Sequence, residues 1–189
     1  SKSGGIGIIN GWVGSFSKQW DWSLLVRNYQ RNFHSFYGNP FKESSRPINE
    51  RGIYGGTRFT PSRKWQYSAY VDYFQFPYRR FQADTSSYGF GTLVHIRWRP
   101  NRNFQATSMY QMEQKQENNN APKIPLIWTR RQVAMISGAW EKRNSYAIRT
   151  RLQATAHQTG DAPVSHGIAL IQDASFNKKK IELSGRIAL

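Results

Sequence analysis

Hydrophobic and polar residues alternate with a period of two along most of the chain, and that alternation predicts β-strands. From Trp65 the odd positions read Trp65, Tyr67, Ala69, Val71 and Tyr73, against Gln66, Ser68, Tyr70, Asp72 and Phe74. From Phe90 the even positions carry Phe90, Thr92, Val94, Ile96 and Trp98, with Gly91, Leu93, His95 and Arg97 between them. The split is cleaner from Tyr146: Tyr146, Ile148, Thr150, Leu152, Ala154 and Ala156 against Ala147, Arg149, Arg151, Gln153, Thr155 and His157. Ile181, Leu183, Gly185, Ile187 and Leu189 repeat it at the end. Ten strands are predicted, at about 6–17, 22–34, 52–60, 65–76, 88–99, 103–117, 128–141, 145–158, 165–177 and 180–189, and no segment has helical periodicity.

The connections alternate in length. Lys18-Gln19-Trp20-Asp21, Pro61-Ser62-Arg63-Lys64, Pro100-Asn101-Arg102, Lys142-Arg143-Asn144 and Asn177-Lys178-Lys179 are short, whereas about 35–51, 77–87, 118–127 and 159–164 are long and rich in Asn, Pro, Gly, Asp and Ser. A meander of long strands with tight turns at one end and long loops at the other is the layout of an outer-membrane barrel. A soluble sandwich mixes connection lengths at both ends and has shorter strands. The expected fold is therefore all-β: an antiparallel up-and-down transmembrane β-barrel, one domain over residues 1–189, with about ten strands present as part of a larger barrel. The strand-like sequence at both termini gives the expectation that strands are missing.

Aromatic residues bracket the short turns: Phe16 and Trp22, Phe59 and Trp65, Trp98 and Phe104, Trp140 and Tyr146, with Phe176 before the last turn. Each shares the apolar parity of its strand, so the set predicts an interfacial girdle. Phe36, Tyr37, Phe76, Tyr78, Phe81, Tyr88 and Trp128 form a second set at the long-loop ends. Cross-strand aromatic pairs beside hairpin turns of a soluble protein are the plainer alternative.

Composition narrows the classes. The 189 residues hold 7 Trp, 10 Tyr, 11 Phe and no Cys, with 27 Lys and Arg against 11 Asp and Glu, a net charge of +16. Disordered polycations are poor in aromatics. A disulfide scaffold or a Cys-ligated zinc site has no sulfur to use. A helical membrane protein needs an apolar run of about 18 residues, which is absent.

By parity, Arg27, Arg31, Arg58, Arg97, Arg131, Arg149, Arg151 and Arg186 fall on the polar face, the lumen of a barrel. An Arg on the lipid face would cost roughly 2–4 kcal/mol near the midplane, so this partition is required. A basic lumen is either an anion-preferring pore or a wall countered by acidic groups from a plug or from further strands. Arg63, Lys64, Arg102, Lys142, Arg143, Lys178 and Lys179 in the short turns face anionic headgroups, acidic periplasmic partners or simply water.

Candidate chemistry is sparse. His157 and His166 could face each other across the 159–164 connection, but no third metal ligand is marked, and no cofactor motif is present. His34-Ser35 lies at the long-loop rim, where an outer-membrane hydrolase would act, with Asp72, Asp84 and Glu117 as scattered acids; no base is paired with an orienting carboxylate, so no catalytic residue is assigned. Tyr73-Phe74-Gln75-Phe76-Pro77-Tyr78-Arg79-Arg80-Phe81 interleaves rings and cations as a single-stranded nucleic-acid binder would, which keeps a soluble basic β protein as a rival.

An ordered string of short motifs completes the reading: Arg27-Asn28-Tyr29, His34-Ser35-Phe36, Asn49-Glu50-Arg51-Gly52-Ile53-Tyr54-Gly55-Gly56, Pro61-Ser62-Arg63-Lys64-Trp65, Ser68-Ala69-Tyr70-Val71-Asp72-Tyr73-Phe74, Phe76-Pro77, Ala83-Asp84 and Lys115-Gln116-Glu117-Asn118. It resembles the C-terminal barrel region of the helix-hairpin-helix-containing outer-membrane proteins of Bacteroidota, over most of residues 9–189. The resemblance implies the outer membrane of a Gram-negative bacterium. Its expected partners are the bilayer, on its lipopolysaccharide and periplasmic sides, and envelope proteins. Nucleic acid would enter only through a helix-hairpin-helix module that this chain does not contain. It also implies strands beyond Leu183-Ser184-Gly185 and a terminal aromatic, which this chain lacks. It carries no catalytic role; the function expected is a pore or a structural subunit of an envelope complex.

Overall fold

The computed structural model describes residues 4–35, 40–119, 126–142, 145–178 and 181–189. Ten strands run in chain order: β1 (Gly7–Ser17), β2 (Trp20–Tyr29), β3 (Glu50–Ser62), β4 (Trp65–Phe76), β5 (Ser87–Trp98), β6 (Phe104–Asn118), β7 (Leu126–Lys142), β8 (Tyr146–Thr159), β9 (Ser165–Lys178) and β10 (Ile181–Ala188). They form one antiparallel sheet in which every strand pairs with its sequence neighbours. The sheet is open, because β1 and β10 do not pair with each other. Among the described residues no helix is long and apolar enough to cross a membrane. The one sizeable departure from the predicted strands is β2, which starts at Trp20 and ends at Tyr29. Arg31 therefore lies in a turn beyond the strand rather than on the wall.

Register assigns every strand position to one of two faces. Through the pairs Phe59↔Tyr67, Trp65↔Trp98, Trp98↔Ala106, Phe104↔Trp140, Trp140↔Ile148 and Tyr146↔Phe176, the apolar parities of β3 to β9 share one face. That face stays open to the surroundings. Val71, Val94, Ile136, Leu152 and Ile168 are each exposed, by 46–77%. Of the exposed large hydrophobics carried by strands, only Ile9 and Val13 lie on the other face. All seven Trp (12, 20, 22, 65, 98, 128 and 140) sit on the apolar face.

Among the described residues, burial concentrates at the long-loop end, on the opposite, polar face, where Arg27, Tyr29, Glu50, Asp72, Phe74, Phe76, Ser87 and Thr129 are enclosed, and in the adjoining connections at Asn49 and Ala83. Close packing there needs glycine. A Cβ on Gly89 would come within 2.7 Å of the Phe74 ring, and one on Gly52 within 2.4 Å of the Arg27 guanidinium carbon. Such approaches exclude every larger side chain unless a neighbour moves.

Candidate functional site

Along the short-turn edge of the apolar face the rings form an almost continuous row. Phe16 lies 5.3 Å from Trp20 and 6.1 Å from Trp22, and Trp20 lies 6.0 Å from Phe59. Phe59 meets Tyr67 at 6.4 Å, Tyr67 meets Trp65 at 5.8 Å, and Trp65 meets Trp98 at 5.7 Å. Phe104 then bridges Trp98 and Trp140, at 5.8 Å from each. Tyr146 and Phe176 extend the row as register partners. Trp20 was hidden in the sequence because Lys18–Asp21 reads as a four-residue turn. In the structure the turn is Lys18-Gln19 alone, and a bulge between Ser15 and Ser17 lets Phe16 face outward beside Trp20. Trp20 also donates its indole N–H to Thr57 Oγ1 at 2.8 Å.

The long-loop set divides. Tyr88 packs against Trp128 at 5.1 Å and Tyr73 at 6.4 Å on the apolar face. Phe76, grouped with them by sequence, turns the other way and is buried under the guanidinium of Arg80, 4.5 Å above its ring. Tyr78 and Phe81 sit exposed in the β4–β5 connection. Phe36 and Tyr37 lie outside the described residues.

Arg27, Arg58, Arg97, Arg131, Arg149, Arg151 and Arg186 all occupy the polar face, joined there by Lys115. The same parity places Asp21, Glu50, Asp72, Glu113, Glu117, Glu141 and Asp173 on that face, so among the described residues seven acids stand against eight cations. The wall is thus nearly neutral, not the strongly basic surface expected from its arginines alone. Arg58 pairs with Asp21 at 2.9 Å and Arg186 with Asp173 at 2.6 Å. Arg97 donates to Gln66. Arg151 keeps its buried Nε without an acceptor. Arg31, off the sheet, stacks over Tyr78 at 5.9 Å.

The deepest part of this face is an ionic cluster. Arg27 Nε donates to Glu50 Oε1 at 2.6 Å, while Nη1 and Nη2 donate to the two Asp72 oxygens at 2.7 and 3.0 Å. The side chains of Arg27 and Glu50 are fully buried, and that of Asp72 is 8% exposed. Bidentate, charge-assisted geometry is what such burial demands. The remaining lone pairs of Glu50 take the amides of Glu43, at 2.9 and 3.2 Å, and Ser44, at 3.3 Å. Phe41 lies over the Arg27 guanidinium at 4.9 Å and its carbonyl accepts the Tyr29 hydroxyl at 2.8 Å. The β2–β3 connection is thereby anchored on the polar face.

Glu43 belongs to this anchored segment. Removal from water lifts its carboxyl from the usual 4.5 to about 7; Glu113 adds to the rise, Lys115 opposes it, and Glu50 and Asp72 push further upward. The side chain still reaches solvent, which moderates the effect. A raised pKa means that the docked segment holds the proton better than a free one. Docking is favoured fully below the ordinary value and weakens as pH climbs through 7. Limited proteolysis of the 40–48 segment is expected to be faster at about pH 8.5 than at about pH 5.5. Glu43→Gln should keep the slow rate at both; equal pH dependence in the variant would refute the assignment.

The other candidates separate. His157 lies on the polar face and His166 on the apolar face, so the pair cannot share a metal. His34 is exposed in the stretch after β2. The scattered acids are engaged elsewhere: Asp72 with Arg27, Asp84 with Asn118 at 3.0 Å, and Glu117 with Lys115 and Thr129. In the Tyr73–Phe81 stretch, Phe74 and Phe76 are buried, which removes them as stacking platforms. No group of three or more His, Asp or Glu positioned for a metal occurs among the described residues. Searches against family models, curated proteins and solved structures find no match to the chain.

Proposed function

We propose that the sheet is part of the wall of an outer-membrane β-barrel of a Gram-negative bacterium, serving as a structural subunit of an envelope complex rather than as an open anion pore. One observation carries the membrane reading: an uncovered apolar face crosses the whole sheet, with its Trp residues all on that side. A monomeric soluble protein rarely exposes more than a few hundred Å² of contiguous apolar surface.

The dimensions support the same reading. From Trp98 to Tyr88, β5 covers roughly 33 Å at about 3.3 Å per residue. At a tilt of about 40° that is roughly 25 Å, the height of a barrel's apolar band. From the Phe90 level outward the apolar face turns polar, with Gln114 and the exposed Arg130 one rung inside Tyr88 and Arg51, Gln75 and Gln116 at its level. Charge balance on the polar face and the segment anchored there favour a filled lumen over a basic channel. The open sheet edges fit a wall completed by further strands, and the resemblance to the helix-hairpin-helix-containing proteins of Bacteroidota fits the location.

Envelope fractionation tests this. The protein is expected in the outer-membrane fraction, resistant to alkaline carbonate and soluble only with detergent; a monodisperse chain in detergent-free buffer would overturn it. Planar-bilayer recording should show no steady open channel, and a stable anion-selective conductance would move the assignment to a pore.

A further inference from the structure

The short-turn rim is rich in cations, with Asp21, Glu182 and the exposed Glu141 as the strand-end acids near it. The short turns Lys18-Gln19, Arg63-Lys64 and Arg99 to Asn103 contain cations and no carboxylate, and the sequence between β7 and β8 and between β9 and β10 holds Arg143, Lys179 and Lys180. The acids outside strands, Glu43, Asp84 and Asp161, all lie in the long connections. Lys18, Arg63, Lys64, Arg99, Arg102 and Lys142 are exposed, and none forms an ion pair among the described residues. Asp21, the nearest acid to the first turn, is already taken by Arg58 and Ser15.

These cations stand at a fixed depth. Each lies one or two residues from a girdle ring: Lys18 from Trp20, Arg63 and Lys64 from Trp65, Arg99 from Trp98, Arg102 from Phe104 and Lys142 from Trp140. At about 3.3 Å per residue they sit roughly 3–7 Å beyond the rings. Backbone bonds hold neighbouring turns level: Thr60 donates to Gln19, Arg99 to Lys64 and Glu141 to Asn103, each at 2.7 Å. Rings of this kind settle among headgroups, so the ammonium and guanidinium groups meet the phosphates.

We infer that the short-turn rim is a binding surface for anionic phospholipid headgroups in the adjoining leaflet, an inference that rests on the membrane reading above. An acidic protein partner would be matched by a patch on one side of the molecule. Here the charge follows the edge of the sheet turn after turn, as a leaflet does.

The girdle tryptophans report the test. The full chain is inserted into phosphatidylcholine vesicles, and tryptophan quenching is titrated with brominated phosphatidylglycerol or brominated phosphatidylcholine. Phosphatidylglycerol is expected to bind about 3- to 5-fold better, a preference lost at about 1 M salt, where the screening length is roughly 3 Å. A variant with Lys18→Gln, Arg63→Gln, Lys64→Gln, Arg99→Gln, Arg102→Gln and Lys142→Gln should bind the two lipids alike. If that variant does not insert, the salt titration of the natural chain still decides. Equal quenching by both lipids overturns the inference and leaves the rim to an acidic protein; a preference that survives the variant or the salt overturns it too. Absence of quenching by either lipid means instead that the chain is not in the bilayer, and the membrane reading itself fails.

Discussion

Arg27→Met is expected to be the most damaging single substitution, costing about 3–5 kcal/mol of stability. The guanidinium is the cation that Glu50 and Asp72 share, and both carboxylates are enclosed. Methionine fills much of the volume but leaves two buried negative charges without a counter-charge, and Glu43 lies close enough to feel both. Neutralising the cluster should recover much of the loss, because an apolar or amide replacement of a whole buried ionic group is far less costly than removing one member. The triple variant Arg27→Met, Glu50→Gln, Asp72→Asn is therefore expected to be clearly more stable than Arg27→Met alone. Urea titration of the vesicle-inserted protein, followed by tryptophan fluorescence, measures both. A loss below about 1 kcal/mol for Arg27→Met would show that the cluster does not hold the polar face together.

That cluster marks where sequence reading stops. Parity puts Arg27 and Asp72 on one face, whereas Glu50 falls in the predicted 35–51 connection; the three are separated by 23 and 45 residues, and nothing local makes them neighbours. Register does, through Arg27↔Gly52 and Tyr54↔Asp72, and register depends on turn lengths and bulges that sequence resolves poorly. The bulge between Ser15 and Ser17 shows the same limit, since it moved Trp20 from a presumed turn into the girdle. The strands themselves were legible because alternation is a property of each segment by itself. The charge of the polar face was only half legible: its arginines stand out, whereas Asp21 reads as a turn residue and Glu141 sits at the last position of its predicted strand. Anchoring of the β2–β3 connection left no pattern at all, since it runs through the amides of Glu43 and Ser44.

A cation placed on either side of β5 separates the membrane reading from its soluble rival most directly. Val94 and His95 are adjacent, but Val94 faces outward with Ala69 and Tyr110, while His95 shares the polar face with Ser68 and Met109. Val94 is 46% exposed and lies four residues from Trp98 and six from Tyr88, close to the middle of the apolar band. In a bilayer, Val94→Arg buries an unpaired guanidinium in hydrocarbon and is expected to cost roughly 2–4 kcal/mol. His95→Arg adds the same group to the polar face, beside Ser68, at an expected cost of about 1 kcal/mol or less. In a soluble sheet the order reverses, because an Arg at an exposed valine meets water whereas one at half-buried His95 must find room. Comparing the two variants in urea titrations from vesicles gives a sign as well as a size. A costly Val94→Arg beside a tolerated His95→Arg places lipid against the apolar face; a harmless Val94→Arg removes it, because no other solvent in the envelope penalises that charge on that side of the sheet alone.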